Sequence, residues 1–403
     1  MPMTQSAFAL AAFVAVATFA SADQPGGSLI ANMDELKFAA PKAKGKVELV
    51  EGKIGKALRF TVEKDSPGTF FTSAIRGTAA WDEAAGISFW VKGDGSDQFA
   101  GLQFIYDDDY ALRYDLCFAI KGKEWTKVTA AWTDFIPVLP GPKSKPLGAK
   151  GNAPSKIGAL WVGKWWYWGD YPVGSFAIDE IRLEATIVRE AKDYAPPGDP
   201  LARVREKVKA GRPITVVTMG DSLTDTRHWA NREVVWQNLL AEKLKAEFKS
   251  GVTIVNPAIG GTQLRKNLVL IPRWLDRAPE PDLVTIFFGG NDWDAGMRGP
   301  EFAAACEDAI DRVRRATKGK ADVLLMTTNP SVAGWDTIAE LSAACRRAAK
   351  AKKAGLADTF ETFHIAGKED RERLFVKDKV HLSPAGHALV AATVLKAIGA
   401  GAK

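Results

Sequence analysis

The chain has 403 residues, which is long enough for two domains that each bury a sizeable core. Apolar residues make up 46% and charged residues 25%, as in an ordinary globular protein, and the net charge of +6 arises from basic residues interspersed with acids. The absence of a polybasic block argues against a nucleic-acid partner, and the lack of any apolar run long enough to span a bilayer argues against membrane insertion.

The N-terminus has the pattern of a secretory signal peptide. An apolar stretch at 7–19 is followed by the small residues Ala20, Ser21 and Ala22, which form a cleavage site. Residues 1–22 are therefore predicted to be removed near Ala22, and the mature protein is predicted to be secreted or periplasmic.

The next 160 or so residues have an all-β texture. Short runs alternate between apolar and polar residues with a period of two, and Gly- and Asp-rich turns separate them, at 86–91, 101–106, 113–120, 125–131 and 175–183. Such regular strands without a helical period predict a β-sandwich over 23–188. The phrases at 87–95, 124–128 and 176–181 resemble carbohydrate-binding modules with a galactose-binding-like fold, and this resemblance implies a jelly roll.

Eight of the thirteen tryptophans lie in this region. Neighbouring strand residues face opposite ways, so the aromatic run at 165–168 cannot point wholly inward, and at least one ring is expected to meet solvent or the partner domain. Sugar rings stack on aromatic planes, and we therefore predict glycan binding by Trp165, Trp166 and Trp168. The alternative is that these rings pack in a core, since each aromatic side chain buries a large area.

Residues 189–210, with Pro196 and Pro197, are predicted to form a linker and a short lead-in helix. The remaining residues, 211–403, alternate between strand and helix patterns. Strands are predicted at 214–219, 252–255, 283–288, 322–328 and 355–357, and helices at 232–249, 264–275, 300–317, 337–353 and 384–398. The strands are almost continuously apolar, which predicts a parallel sheet covered by helices on both faces, a three-layer α/β domain.

Ser222 stands two residues after Gly220, at the end of the first of these strands. Ligands of open α/β sheets bind outside the carboxyl ends of the strands, so this serine is a candidate nucleophile. It needs a base, and His381 is one of only four histidines. Asp378 precedes it by three residues, close enough to hold the imidazole Nδ1 and leave Nε2 free for the serine proton.

Two further segments follow strand ends. Gly260 and Gly261 follow the second strand and Asn291 follows the third, and both an N–H group and an amide can stabilise an oxyanion. With the Ser222 and His381 segments they form four blocks that resemble, in order, those of the SGNH (GDSL) hydrolase superfamily.

The resemblance implies a flavodoxin-like sheet order and an esterase whose triad is Ser222, His381 and Asp378. It also implies an oxyanion hole made by the Ser222 N–H, the Gly261 N–H and the Asn291 side chain; the family spacing favours Gly261 over Gly260. Lys379 replaces the usual glycine after the aspartate, which could place a positive charge near the site mouth.

Four other residues lie in loops near this rim and are candidate walls for an acyl or sugar group, with rim packing as the alternative: His228, Trp229, Trp293 and Trp335. Asp221 is expected to hold its loop by hydrogen bonds, and His387 to cap or pack. Cys306 and Cys345 are interpreted as buried thiols, with a disulfide between them as the alternative. No metal site is predicted, because no histidine or cysteine has ligand spacing, and no cofactor is predicted.

Together these features predict a secreted serine esterase that removes short acyl groups, acetyl groups above all, from a polysaccharide or another acylated glycan through an acyl-enzyme. One alternative is a lipase, thioesterase or lysophospholipase of the same superfamily. Another is a glycan-binding protein whose hydrolase domain is vestigial.

Overall fold

The computed structural model describes residues 27–39, 44–66 and 70–399. The predicted signal peptide at 1–22 lies outside the described residues. The described chain forms a β region followed by an α/β region.

The β region consists of short strands and one short helix. In chain order these are β1 (Leu29–Ala31), β2 (Gly45–Glu51), β3 (Lys56–Val62), β4 (Phe70–Ser73), α1 (Ala79–Glu83), β5 (Gly86–Gly93), β6 (Phe99–Tyr106), β7 (Asp109–Ala119), β8 (Thr126–Ala131), β9 (Ile136–Pro137), β10 (Ile157–Gly163) and β11 (Gly174–Glu184).

These strands form two antiparallel sheets that pack face to face. One sheet has the order β2-β3-β11-β5-β8 with β1 beside β11, and the other has the order β4-β10-β6-β7-β9. The sheets meet through aromatic rings: Phe118 of β7 lies 5.7 Å from Phe176 and 5.3 Å from Phe89 of the opposite sheet, edge to face in both cases. The prediction of a β domain is confirmed, although six of its strands were not among the predicted ones: β1, β2, β3, β4, β9 and β10.

The α/β region contains a longer set of elements. They are α2 (Ala202–Lys209), β12 (Ile214–Gly220), α3 (Trp236–Phe248), β13 (Val252–Val255), α4 (Leu264–Val269), α5 (Ile271–Arg277), β14 (Leu283–Phe287), α6 (Gly290–Asp294), α7 (Gly299–Ala316), β15 (Asp322–Met326), α8 (Ala339–Ala351), β16 (Gly355–Ala357), α9 (Thr359–Ala366) and α10 (Pro384–Gly399). No helix in the described part of the chain is both long enough and apolar enough to cross a membrane.

The five strands of this region form one parallel sheet with the order β13-β12-β14-β15-β16. Successive strand residues pack into opposite apolar layers. Val217 and Val284 contact the layer that contains α4, α5, α7 and α8, whereas Val216 and Leu283 contact the layer of α2, α3 and α10. The order corresponds to 2-1-3-4-5, which has its switch point between β12 and β14, and ligands of such sheets bind at the carboxyl ends there.

One helix prediction differs from the structure. The predicted helix at 264–275 is two helices, α4 and α5, with Leu270 between them. Pro272 stands in the first turn of α5, where a residue without an N–H group is tolerated, but it would break a continuous helix. The short α4 is consequently a separate element that precedes the break.

The β region and the α/β region share one apolar cluster. Trp165 and Trp168 from the β region pack in the same cluster as Leu268 of α4 and Ile271 of α5. Arg273 of α5 donates a hydrogen bond of 2.9 Å to the carbonyl of Trp168. The interface is therefore a core-like contact.

The burial of the three cysteines can be tested by their reactivity. Cys117, Cys306 and Cys345 are free and buried, and burial with the neighbouring Cys345 thiol raises the pKa of Cys306 far above its usual value. We expect no reaction of the native protein with Ellman's reagent, and three thiols after denaturation without a reductant. A single thiol in the denatured protein would instead show that Cys306 and Cys345 are joined.

Candidate active site

Ser222 lies in a tight loop at the carboxyl end of β12. The preceding Gly220 allows the turn, because a Cβ atom there would lie 2.4 Å from the Thr224 hydroxyl. Asp221 accepts hydrogen bonds at its carbonyl from the N–H groups of Thr224 (2.9 Å) and Asp225 (2.8 Å) and at its carboxylate from that of Leu223 (3.0 Å). Asp221 therefore braces the loop, as the sequence indicated.

The structure brings Ser222, His381 and Asp378 into one hydrogen-bonded row. The Ser222 hydroxyl lies 2.9 Å from Nε2 of His381, and Nδ1 of that ring lies 2.6 Å from an oxygen of Asp378. Burial alone would raise the pKa of Asp378, but hydrogen bonds from the backbone N–H and the ring of His381 and from the Val380 N–H hold it below its usual value. The ionised carboxylate thus orients the imidazole so that Nε2 faces the serine.

Lys379 lies between these two residues in a left-handed conformation, with φ of +62°. Glycine adopts this conformation most readily, so a lysine is unusual at this position. The Lys379 ammonium is 2.8 Å from a carboxylate oxygen of Glu372. The expected positive charge at the site mouth is therefore paired with an acid.

The two glycines after β13 have different environments. The Gly260 N–H donates to Asp225 at 3.0 Å, so that group is already engaged. Gly261, with φ of +73°, faces open space, and its N–H has no partner among the described residues. Of the two glycines, Gly261 thus has the available donor.

Asn291 lies at the start of α6, after β14. Its side-chain nitrogen donates to the carboxylate of Asp221 (3.2 Å) and to the carbonyl of Thr262 (3.1 Å). These contacts hold the amide between the loop that carries Ser222 and the residue that follows Gly261.

Two buried carboxylates, those of Asp221 and Asp292, lie next to Asn291. Burial raises the pKa of Asp221 to about 6. Burial and the neighbouring charge of Asp221 raise the pKa of Asp292 to about 7. Asp292 accepts a 3.0 Å hydrogen bond from the N–H of Leu264, the first residue of α4. Its other oxygen is buried and has no partner within the described ranges.

His387 supports the loop from behind and has no part in the row of three residues. Its Nε2 atom lies 3.1 Å from the side-chain oxygen of Asn231. The Asn231 amide in turn donates to the carbonyls of Ser222 and Asp225, at 2.7 Å each. The sequence indicated packing for His387 but gave no signal for Asn231, because this contact joins residues 156 positions apart.

A cavity of about 400 Å³ opens beside Ser222. Trp293 is on its wall, as predicted, and the guanidinium of Arg298 lies 3.8 Å above that ring. Three further apolar residues line the cavity, and no pattern in the sequence marks them as part of its wall: Phe288, Ile338 and Val380.

His228 and Trp229 lie against the ring of His381. The His228 ring stacks on it with centroids 4.2 Å apart, and the Trp229 ring meets it edge-on at 5.7 Å. Burial and the neighbouring His381 lower the pKa of His228, which favours its neutral form. Both side chains therefore belong to the rim next to the imidazole.

The prediction for Trp335 needs correction. Its ring packs 4.8 Å from His364 and 6.3 Å from Phe375, and it is not among the residues that line the cavity. The loop that carries Trp335 does approach the cavity, but the side chain turns toward α9, where it covers apolar surface.

The prediction of glycan binding by Trp165, Trp166 and Trp168 also needs correction. Trp165 and Trp168 are only 4% and 1% exposed, so neither ring can present a face to a glycan. Both fill the interface between the two regions. Trp166 is 49% exposed, and the ammonium of Lys266 lies 4.6 Å above its ring.

Within the described part of the chain, no group of three or more His, Cys, Asp or Glu residues could hold a metal ion.

Comparison with known proteins places the family likeness in the α/β region. Residues 218–389 match the family model described as "GDSL-like Lipase/Acylhydrolase family". The chain therefore contains a GDSL-like lipase/acylhydrolase domain, which is the domain of a carboxylic ester hydrolase. No curated protein matched the chain.

Several solved structures are similar to part of the chain. An acetylxylan esterase from Geobacillus stearothermophilus is 24% identical, over 47% of this chain and 96% of that chain, with a TM-score of 0.40. A lipase/acylhydrolase from Enterococcus faecalis is 22% identical, over 46% of this chain and 96% of that chain, with a TM-score of 0.40.

The buried His387 predicts a pH effect on stability. Burial and the nearby His381 lower the pKa of His387 to about 4, whereas an unfolded histidine has a pKa near 6.5. Unfolding therefore takes up a proton between these values, and stability falls as the pH falls, by at most about 1.4 kcal/mol per pH unit.

In a His387→Gln protein, whose amide can still donate to Asn231, the melting temperature should fall less steeply than in the wild type between pH 6.5 and 4.5. The quantity to compare is the slope of the melting temperature against pH, because the substitution can also change the melting temperature at every pH. Parallel slopes for the two proteins would contradict the role assigned to His387.

Proposed function

We propose that the protein is a secreted serine esterase that removes short acyl groups, acetyl above all, from a polysaccharide. The observation that carries the proposal is the contact of the Ser222 hydroxyl with Nε2 of His381 at 2.9 Å, while Nδ1 is held by Asp378 at 2.6 Å. Secretion is the part of the proposal that rests on residues 1–22.

In the first half of the reaction, the Ser222 oxygen attacks the ester carbonyl carbon as its proton moves to Nε2 of His381. The tetrahedral intermediate collapses, and the sugar oxygen leaves with the proton from His381. In the second half, a water molecule attacks the carbonyl carbon of the acyl-enzyme while His381 takes a proton from that water. Release of the acid returns the proton to Ser222.

The proposed oxyanion hole consists of the Ser222 N–H, the Gly261 N–H and the Asn291 amide. The engagement of Gly260 by Asp225 supports the choice of Gly261. The Asn291 amide has two N–H groups, and they donate to Asp221 and Thr262 in the free protein. These contacts orient the amide, and one of the two N–H groups turns to the oxyanion when it forms.

The exposed aromatic side chain at the rim of the site supports a substrate whose alcohol part is a sugar. Trp229 is half exposed, and it stands beside the ring of His381, which would protonate the leaving alcohol. An exposed indole face can stack on the C–H face of a sugar ring. The likeness of the β region to carbohydrate-binding modules points the same way, although Trp166 is the only one of its three candidate tryptophans with an exposed ring.

A lipase or thioesterase activity is the second candidate. It is favoured by the apolar wall of the cavity at Phe288, Ile338 and Val380, against which a longer acyl chain could pack. A vestigial hydrolase domain is disfavoured, since Ser222, His381 and Asp378 retain their side chains in hydrogen-bonding contact.

Two assays separate these alternatives. Acetate release from a panel of acetylated polysaccharides tests the proposed substrate class, and a series of 4-nitrophenyl esters from acetate to palmitate measures the acyl preference. Acetate release with short-chain preference supports a glycan acetylesterase. Long-chain preference without acetate release supports the second candidate, and glycan binding without any turnover supports the vestigial domain.

Replacement of two residues gives matched tests of the mechanism. We expect Ser222→Ala to abolish turnover of 4-nitrophenyl acetate, because the nucleophile is lost, and Asn291→Ala to lower kcat by about two to three orders of magnitude, because one oxyanion donor is lost. Both variants should keep the wild-type melting temperature to within a few degrees. Full activity of the Ser222→Ala protein would refute the mechanism.

A further inference from the structure

Helix α4 connects the proposed oxyanion hole to the β region. It begins three residues after Gly261, and its Asn267 donates a 2.8 Å hydrogen bond to the hydroxyl of Thr262. The carbonyl of Thr262 also accepts from Asn291 at 3.1 Å. The residue next to Gly261 is thus held by α4 on one side and by Asn291 on the other.

The second proposed donor is tied to the same helix. Asp292, which follows Asn291, accepts the N–H of Leu264 at the start of α4, at 3.0 Å. Gln263 also donates to the carbonyl of Asn291 at 3.4 Å. A shift of α4 would therefore displace both Gly261 and Asn291 relative to Ser222.

Helix α4 has only six residues, so it depends on tertiary contacts for its stability. The β region supplies many of them. Leu268 and Val269 pack in one cluster with Trp165 and Trp168, and Arg265 reaches the carbonyl of Leu139 at 3.4 Å.

Lys266 of α4 makes the most unusual of these contacts. The residue is 5% exposed, and its ammonium forms no salt bridge with the described residues. Burial and the charge of Arg113 lower its pKa to about 8, whereas the charges of Asp115 and Asp292 favour the ammonium form. The ammonium lies 4.6 Å above the ring of Trp166 and 5.8 Å from that of Tyr167, both of which belong to the β region. A buried ammonium needs a compensating interaction, and aromatic faces provide one.

We propose that the β region is the scaffold that holds the oxyanion hole in place, with Trp166 as a positioning residue that acts through Lys266 and α4. The proposal rests on the proposed function, since it assumes that Gly261 and Asn291 stabilise the oxyanion. It gives Trp166 a role in catalysis on every ester, including small esters that cannot reach the β region.

Trp166→Ala in the full-length chain tests the proposal with 4-nitrophenyl acetate as substrate. We expect kcat to fall about tenfold with little change in KM, because small displacements of catalytic groups reduce transition-state stabilisation. Trp166→Phe, which retains an aromatic face, should restore most of kcat. Lys266→Met should resemble Trp166→Ala.

Trp90→Ala is the matched control. Lys53 lies above the Trp90 ring at 4.6 Å, the same distance as in the Lys266 pair, but Trp90 belongs to β5 in the sheet that does not share the cluster with α4. This variant should keep wild-type kcat. Hydrogen exchange followed by mass spectrometry should show faster exchange at 261–269 in the Trp166→Ala protein and no change there in the control.

The outcomes are distinct. Unchanged kcat and unchanged exchange at 261–269 in the Trp166→Ala protein would overturn the proposal, and a raised KM on acetylated polysaccharide alone would make Trp166 a glycan contact instead. Equal losses of kcat in Trp166→Ala and Trp90→Ala would also overturn it, as general destabilisation. Faster exchange in a protein whose wild type has no Ser222-dependent turnover would support the scaffold and refute the proposed esterase function.

Discussion

The contact between Ser222 and His381 is the constraint on which the rest of the site depends. The two residues are 159 positions apart, and a hydroxyl and an imidazole exchange a proton only within hydrogen-bonding distance. The sheet fixes the serine end through β12, and the turn before α10 fixes the histidine end. Asn231 links the two ends, because it binds both the Ser222 carbonyl and His387 of α10. The positions of Ser222 and His381 are therefore fixed by their mutual hydrogen bond and also by the contacts of Asn231.

Buried carboxylates organise the loops around this row. Asp221, Asp225 and Asp292 each accept a backbone N–H, from Leu223, Gly260 and Leu264. A carboxylate that accepts such bonds offsets part of the cost of its burial and fixes the loop that donates them. Burial raises the pKa of Asp221 to about 6 and that of Asp292 to about 7, so each of these carboxyl groups keeps its proton to a higher pH than an exposed aspartate does.

The tryptophans show how far a composition argument reaches. Their number in the β region indicated aromatic surface, and the run at 165–168 indicated correctly that one ring would meet solvent or the partner domain. The sequence could not tell which rings are buried by the α/β region, since Trp165 and Trp168 pack on residues about a hundred positions away. Surface that looks available in one domain becomes core when a second domain covers it, and this explains why Trp165 and Trp168 are buried while Trp166 is exposed.

The sequence by itself determined the local features: the five parallel strands, the β texture before them, and the pairing of Asp378 with His381, since each depends on residues that are neighbours in the chain. Lys379 could be recognised as a departure for the same reason. Tertiary structure alone decided which glycine N–H is free, that Asn231 and Asp292 brace the site, that Trp335 turns away, and that α4 is held against the β region. These outcomes depend on contacts between distant segments, which periodicity and spacing do not encode.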